Sequence, residues 1–455
     1  MMTKQEYKKW YETHQEKNLT DFFTYLKFPS ISAQPAHKKA LLDCASWVET
    51  YLQGLGFSTQ RWEGKGHPVI FASRIVDDSA PTILFYGHYD VQPPEPYELW
   101  VSEPFEPTIR EGRIYARGAE DNKGQNFYTM LAIKAFLENN PEAKLNFKFI
   151  MEGEEEMGSA LLSELLPTKE KEIRADYLLI VDCGMNSSEK PGLEIGCRGI
   201  MTMEIHLKNT DTDLHSGSYG GIVLNPNRVL VELLAPVIDQ DGHITIPGMY
   251  DDIKPLSREE IDQVNTEFNE QECINEIGGC AFHREKGYSI REANYFRPTF
   301  EINGIWGGYT GDGFKTVLPK EAHAKISCRL VPDQKPEKIY KLVCDYFQKR
   351  VPKGFELKFE FHGGGPAAWG SPNSKPTQVL KEAYQEVFGS CSIIYGGGSV
   401  PITALIEKHS KAEFVLPGVG LACDRIHAPN ENFGLNQLEW GFLIITKSLE
   451  LFAQN

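Results

Sequence analysis

A chain of 455 residues, 41% hydrophobic and 24% charged, has the composition of a soluble globular protein and the length for more than one core. Its 63 acidic residues outnumber its 47 basic ones, and the formal net charge of −16 opposes binding to the phosphate backbone of nucleic acids. No apolar run approaches the length of a membrane span, and nine scattered cysteines without a Cys-x-x-Cys pair read as reduced thiols.

Residues 3 to 27 form the first predicted helix. Lys4, Glu6, Lys8 and Lys9 surround Tyr7, Trp10 and Tyr11 there, without the continuous apolar stretch of a secretory signal, so a cytoplasmic location is expected. A second helix is striped by Leu41, Cys44, Val48, Tyr51, Leu52 and Leu55 and stops at Gly54 and Gly56. Thr82 to Tyr86 is an apolar run of β-formers between Pro81 and Gly87, which reads as a strand buried on both faces. His88 and Asp90 follow it. Residues two apart in an extended chain face the same side, so this pair suits a metal-binding imidazole with a carboxylate fixing its tautomer; a polar strand end is the plainer alternative. Pro93 to Pro107, with Trp100 and Phe105, reads as an irregular loop. Gly112 to Gly118 then leads through Ala119 and Glu120 to Asp121, just ahead of a helical stripe of Phe127, Met130, Leu131 and Leu137 that ends before Pro141. Asp121 fits an N-cap and equally a carboxylate whose two oxygens bridge two cations.

Lys144 to Met151 is a further strand and empties into Glu152-Gly-Glu-Glu-Glu156. Adjacent residues in an extended chain face opposite ways, so these acids can be divided between a metal and a water, and composition leaves the division open. Asp176 to Val181 is a buried strand ending at Asp182. Such strand ends converge on one crevice in open α/β sheets.

From Ile200 the pattern changes to strict alternation: Met201, Met203, Ile205 and Leu207 against Thr202, Glu204, His206 and Lys208. This predicts an antiparallel sheet with one wet face in a separate domain. Asp213-Leu-His-Ser-Gly217 follows, and Asn225-Pro226 opens a helix. Residues 240 to 300 are acidic and irregular, and no element is assigned there. Alternation returns at residues 323–330 and 355–362 around a helix striped by Ile339, Leu342, Val343, Tyr346 and Phe347, an α+β arrangement. Cys391 to Tyr395 leads into the glycine-rich turn Gly396 to Ser399, which lacks the lysine of a P-loop and whose amides suit a carboxylate. Glu413 to Leu416, Pro417-Gly418 and His427-Ala-Pro-Asn-Glu431 precede a closing helix striped by Leu438, Phe442, Ile445 and Leu449.

The segment Gly87-His-Tyr-Asp-Val-Gln-Pro93, followed by Gly118-Ala-Glu-Asp-Asn-Lys-Gly-Gln125, resembles the M20 co-catalytic metallopeptidases, most closely the carnosinase-type dipeptidase branch. The resemblance implies an α/β catalytic domain with a mixed, mostly parallel sheet flanked by helices, and an inserted α+β lid or dimerisation domain. The corresponding boundaries are 1–199 and 366–455 for the catalytic domain and 200–365 for the lid. Glu155-Glu156-Met-Gly-Ser159 matches the family's Glu-Glu-x-Gly-Ser pattern, which makes Glu155 the general base and Glu156 a ligand and leaves Glu154 a bystander.

The implied ligands are His88 and Asp182 on one ion, Glu156 and His427 on the other, and Asp121 between them, with Asp90 orienting His88. Two divalent ions are expected, zinc first, with manganese or cobalt as alternatives. Such a pair holds a bridging hydroxide, formed when Glu155 takes a proton from the bound water and passes it to the leaving amine. The implied reaction is hydrolysis of a dipeptide, or of the amide nearest a free carboxylate; the rival is an amidohydrolase acting on N-acyl amino acids. His215 is expected to act across a homodimer interface, Arg329 to hold the substrate carboxylate, and Thr316, His362 and Ser399 to make supporting contacts. Glu120 and Glu154 depart from the pattern and bear on metal preference. The variant loop Phe361 to Pro366 leaves side-chain preference open.

Overall fold

Apolar runs between glycines and prolines build the first sheet: β1 (Ser58–Trp62), β2 (Val69–Arg74), β3 (Thr82–His88), β4 (Asn146–Glu152) and β5 (Tyr177–Ile180), joined by the strand Glu413–Val415. In the computed structural model, which describes residues 2–454 except 186, 254–256, 265–266, 280–281, 397–399 and 401, the chain forms two compact units. One comprises Met1–Gly196, Gly370–Ile394 and Ile402–Asn455; the other comprises Cys197–Trp369 and Tyr395–Pro401.

The sheet of the first unit runs β1-β2-β4-β3-β5 and then Glu413–Val415. The β1–β2 and β2–β4 pairs are antiparallel and the remaining three are parallel. Ile83, Leu84, Phe85 and Tyr86 are all buried, as expected of a central parallel strand covered on both faces; each such side chain contributes roughly 1.5–3 kcal/mol by leaving water. The helix Lys38–Gly54 packs on β1 and β2, and Lys123–Asn139 packs on β3. The closing helix Leu435–Ala453 lies against Lys4–Leu26, Lys123–Asn139 and Lys375–Phe388. Trp10 stacks on Phe442 at 5.6 Å and Phe22 on Phe127 at 5.0 Å. No cysteine among the described residues forms a disulfide.

Register aligns His88 with Glu152 and Tyr86 with Ile180, so whatever follows β3, β4 and β5 shares one rim. A close backbone approach holds that rim. A Cβ added at Gly418 would stand 1.6 Å from the Cys183 carbonyl oxygen, one residue beyond Asp182. Gly418→Ala is expected to force the two segments apart and lower stability by about 1–3 kcal/mol, read as an earlier urea midpoint.

The second unit carries an antiparallel sheet of β6 (Gly199–Lys208), β7 (Glu301–Gly307), β8 (Glu321–Leu330) and β9 (Glu356–Gly365), ordered β7-β8-β6-β9. Met201, Met203, Ile205 and Leu207 of β6 and Ala324, Ile326, Cys328 and Leu330 of β8 form its core with residues of the helices Pro226–Leu234 and Pro336–Gln348. The alternate residues form the other, polar face. Strand β7 escaped sequence reading because Gly304 and Gly307 interrupt it and it has no buried face of its own; pairing to β8 makes it a strand. The stretch 240–300 contains the short helices Arg258–Asp262, Glu270–Ile277 and Ile290–Phe296. The first and last are capped by Ser257 and Ser289, each in a capping box.

Candidate metal centre

His88 ends β3, Asp182 follows β5, and Asp121 stands before the helix Lys123–Asn139. His88 Nε2 lies 3.1 Å from Asp121 Oδ1 and 3.6 Å from Asp182 Oδ1. His427 Nε2 lies 2.9 Å from Asp121 Oδ2 and 3.3 Å from Glu156 Oε2. Asp121 therefore offers one oxygen to each imidazole. Two sets of ligand atoms, each within 4.8 Å, result: His88, Asp121 and Asp182, and Asp121, Glu156 and His427. The helix cap position belongs to Asn122 instead. Its Oδ1 accepts from His88 N at 3.2 Å and its Nδ2 donates to the Val181 carbonyl at 2.7 Å, which ties the ends of β3 and β5 together.

These residues fit a pair of cations. Glu156 Oε1 is buried with no hydrogen-bond partner, and two imidazoles with three carboxylates suit a borderline divalent ion. The crowded acids raise the proton affinity of both rings. Burial alone would lower the His88 imidazole, yet Asp182, Asp121 and Asp90 hold it well above its ordinary value. His427 is pushed up to about 10 by its bonds to Asp121 and Glu156. Against the effect of burial, the two rings hold Asp121 well below the usual carboxylate range. Glu155 goes the other way: burial first, then Asp182, Glu156 and Asp121, raise its carboxyl well above the ordinary value, with His88 opposing.

The acids of the 152–156 run divide by contact. Glu155 and Glu156 stand on the short turn Glu155–Met157. Their backbone N–H groups donate to Asp90 Oδ1 and Oδ2, each at 3.2 Å. The ring Nδ1 of His88 faces the Asp90 carbonyl at 3.0 Å and Oδ1 at 3.3 Å. One buried carboxylate thus couples the His88 ring to the Glu155–Glu156 turn, a link that the His-x-Asp spacing alone did not suggest. The Glu154 carboxylate accepts from His67 N at 2.9 Å and Leu161 N at 3.1 Å and so ties the start of the turn to the β1–β2 loop and to the helix that follows. Glu120 accepts from Gln125 Nε2 at 2.8 Å.

Sequence reading missed two positioning groups. Gln92 Nε2 donates to Glu156 Oε2 at 2.6 Å; its place in the Gly87 to Pro93 motif was the available signal. Glu431, fully buried, accepts from Arg117 Nη1 at 2.6 Å, Gly118 N at 2.9 Å, and Glu120 N and Asp121 N at 3.1 Å each. It anchors the backbone of Asp121, and nothing local marks a pair 314 residues apart. Four residues before it, His427 holds a left-handed φ of 58°, a conformation that costs a non-glycine residue roughly 1–2 kcal/mol.

His215, Thr316, Arg329 and His362 belong to the second unit. His215 pairs with Val317 on a two-stranded ribbon, and Ser216 N donates to the Thr316 carbonyl at 3.0 Å, so His215 and Thr316 are neighbours. The exposed His215 ring accepts from Gly217 N at Nδ1, 3.0 Å, which leaves Nε2 as its donor. Burial lowers the Arg329 guanidinium, and His362 Nε2 lies 3.5 Å from Glu204 Oε2. Ser399 lies outside the described residues.

No helix among the described residues is long and apolar enough to cross a membrane. The mouse Beta-Ala-His dipeptidase is 30% identical over 98% of this chain and 94% of its own length. Cys-Gly metallodipeptidase dug1 of Schizosaccharomyces pombe is 28% identical over 92% and 93%. Among solved structures, the M20 family metallo-carboxypeptidase Sso-CP2 from Sulfolobus solfataricus superposes with a TM-score of 0.85 at 31% identity, covering 96% of this chain and 99% of its own. Residues 84–451 match the Peptidase_M20 family model. The strand-end rim with its shared carboxylate and these full-length similarities lead to one assignment: the chain belongs to peptidase family M20/M25/M40.

Proposed function

We propose that this chain is a cytoplasmic di-metal exopeptidase that hydrolyses dipeptides. One observation carries the reading: a single carboxylate, Asp121, stands between two separate histidine–carboxylate sets. His88 and Asp182 would hold one ion and Glu156 and His427 the other, zinc by preference, with manganese or cobalt as alternatives. Bound there, such ions supply an activated water and a polarised carbonyl. Glu155 takes the water's proton and returns it to the leaving amine, a task suited to a carboxyl whose proton affinity is raised by burial. Asp90 keeps the His88 ring and the Glu155–Glu156 turn in register. Arg329 takes the substrate carboxylate as a guanidinium fork, with Thr316, His362 and Ser399 beside the substrate.

His215 acts in the partner's site of a homodimer, its Nε2 hydrogen serving the oxyanion. Two observations support that arrangement. The His215 tautomer is set by the Gly217 amide, and the second unit exposes apolar side chains, three of them on the sheet edge β7. Ile302, Ile305 and Trp306 of β7 are open, and Ile222 and Phe314 elsewhere in the unit are 78% and 101% exposed; open apolar side chains on an edge strand call for a cover.

The test is amino-acid release from a panel containing β-Ala-His, Cys-Gly and N-acetyl amino acids, using chelated and zinc- or manganese-reloaded protein. Dipeptide cleavage that disappears on chelation and returns on reloading is the expected result. Cleavage of the N-acyl compounds alone would replace the dipeptidase reading with the amidohydrolase one.

A further inference from the structure

The polar face of the second unit's sheet carries a histidine pair. Register places Trp306 of β7, His323 of β8, His206 of β6 and Lys358 of β9 in one row across the four strands. The Nδ1 atoms of His206 and His323 are 2.8 Å apart. Carboxylates sit on the far sides of both rings: Glu204 and Glu360 lie 3.7 and 3.8 Å from His206 Nε2, and Glu321 lies 4.0 Å from His323 Nε2. These carboxylates stand too far off to hydrogen-bond either Nε2, but their charge favours a cation held by the rings, and in the tautomer with hydrogen on both Nε2 atoms two Nδ1 lone pairs face one another. Two lone pairs at that distance repel unless a cation or a shared proton sits between them.

The surroundings favour the cation. Glu204, Glu321 and Glu360 supply local negative charge, with His362 beyond Glu204; Lys325 across from Glu204, Lys358 beside His206 and Lys320 near His323 are the opposing positive neighbours. Trp306 stacks on His323 with ring centroids 5.1 Å apart and planes within 16°, which fixes that ring. The side chains of His206 and His323 remain 32% and 18% exposed, open to an ion from solvent. Metal–nitrogen bonds of about 2.0–2.1 Å span nitrogens roughly 3 Å apart, so a slight parting of the rings admits one ion. Water completes the coordination.

We propose that His206 and His323 form a cross-strand chelate for a third divalent transition-metal ion of the zinc or copper type, bridging β6 and β8. Imidazole pairs prefer such ions to magnesium or calcium.

Equilibrium dialysis of the metal-loaded protein against micromolar zinc, with metal counted per chain, tests this. The wild type is expected to retain one equivalent beyond those of the paired centre. His206→Gln and His323→Gln should each weaken only that equivalent, by at least about tenfold, the scale of losing one of two ligands. Far-ultraviolet circular dichroism checks that both variants fold. Wild type without the extra equivalent, or an extra equivalent that survives the double substitution, overturns the proposal. So does a titration in which the His206 and His323 ring resonances respond to pH but not to zinc, since the gap then holds a proton. Loss of the paired centre's own metal is counted separately and bears only on the reading of the first unit.

Discussion

Glu155→Gln is expected to lower kcat for dipeptide hydrolysis by about 10²–10⁴-fold, the usual contribution of a positioned proton-transfer group, with metal content and KM close to wild type. Glutamine keeps the shape of the side chain and removes its ability to take a proton. The backbone beneath it is held independently, because the N–H groups of Glu155 and Glu156 both donate to Asp90. Steady-state kinetics beside metal analysis of the same preparation makes the measurement. A variant retaining activity within about tenfold of wild type would remove Glu155 from the base role. Glu154→Gln provides the contrast. Its carboxylate braces His67 N and Leu161 N, so its loss should appear in the unfolding midpoint before it appears in kcat.

The second large effect concerns Arg117 and Glu431, whose side chains are 1% and 0% exposed. Removing one partner of a buried pair leaves a charge out of water and typically costs about 3–5 kcal/mol. Arg117→Met should therefore unfold at markedly lower urea. Arg117→Met with Glu431→Gln should regain part of that loss, because the amide is neutral and its oxygen still accepts from the Gly118, Glu120 and Asp121 N–H groups. Both proteins should release metal more readily than wild type, since the Asp121 backbone is less firmly held. Urea titrations with a double-mutant cycle separate the pairwise part from the rest. If Arg117→Met shifts stability by less than about 1 kcal/mol, the pair behaves like a solvated surface bridge, and the anchoring role assigned to Glu431 fails.

Much of this was legible along the chain, for a reason visible in particular residues. Thr82–His88 and Gly199–Lys208 announce opposite environments through periodicity alone. The first is apolar at successive positions and buried throughout; the second alternates and is buried at every other residue. His88, Asp182 and the acid run 152–156 stood out because each lies at the end of an apolar strand, where a polar group has no packing reason to be; only the family pattern singled out Glu155 and Glu156 within that run. The local pattern was also silent in places. Strand β7 carries two glycines and no buried stripe, so no element was read there, and only its pairing to β8 makes it a strand.

The sequence by itself determined the buried strands ahead of His88 and Asp182, the switch at residue 200 to an alternating, antiparallel pattern, and the family to which the motifs point. Backbone preference and side-chain burial repeat over a few residues, so a short window carries them. Only the tertiary structure decided that Asp121 turns an oxygen to each of His88 and His427, that Asp90 holds the Glu155–Glu156 turn, that Glu431 anchors Asp121, and that His206 meets His323. His427 and Asp121 are 306 positions apart, and His206 and His323 are 117 apart. Contacts of that range depend on how whole sheets close on their helices, and no short window of sequence records that closure.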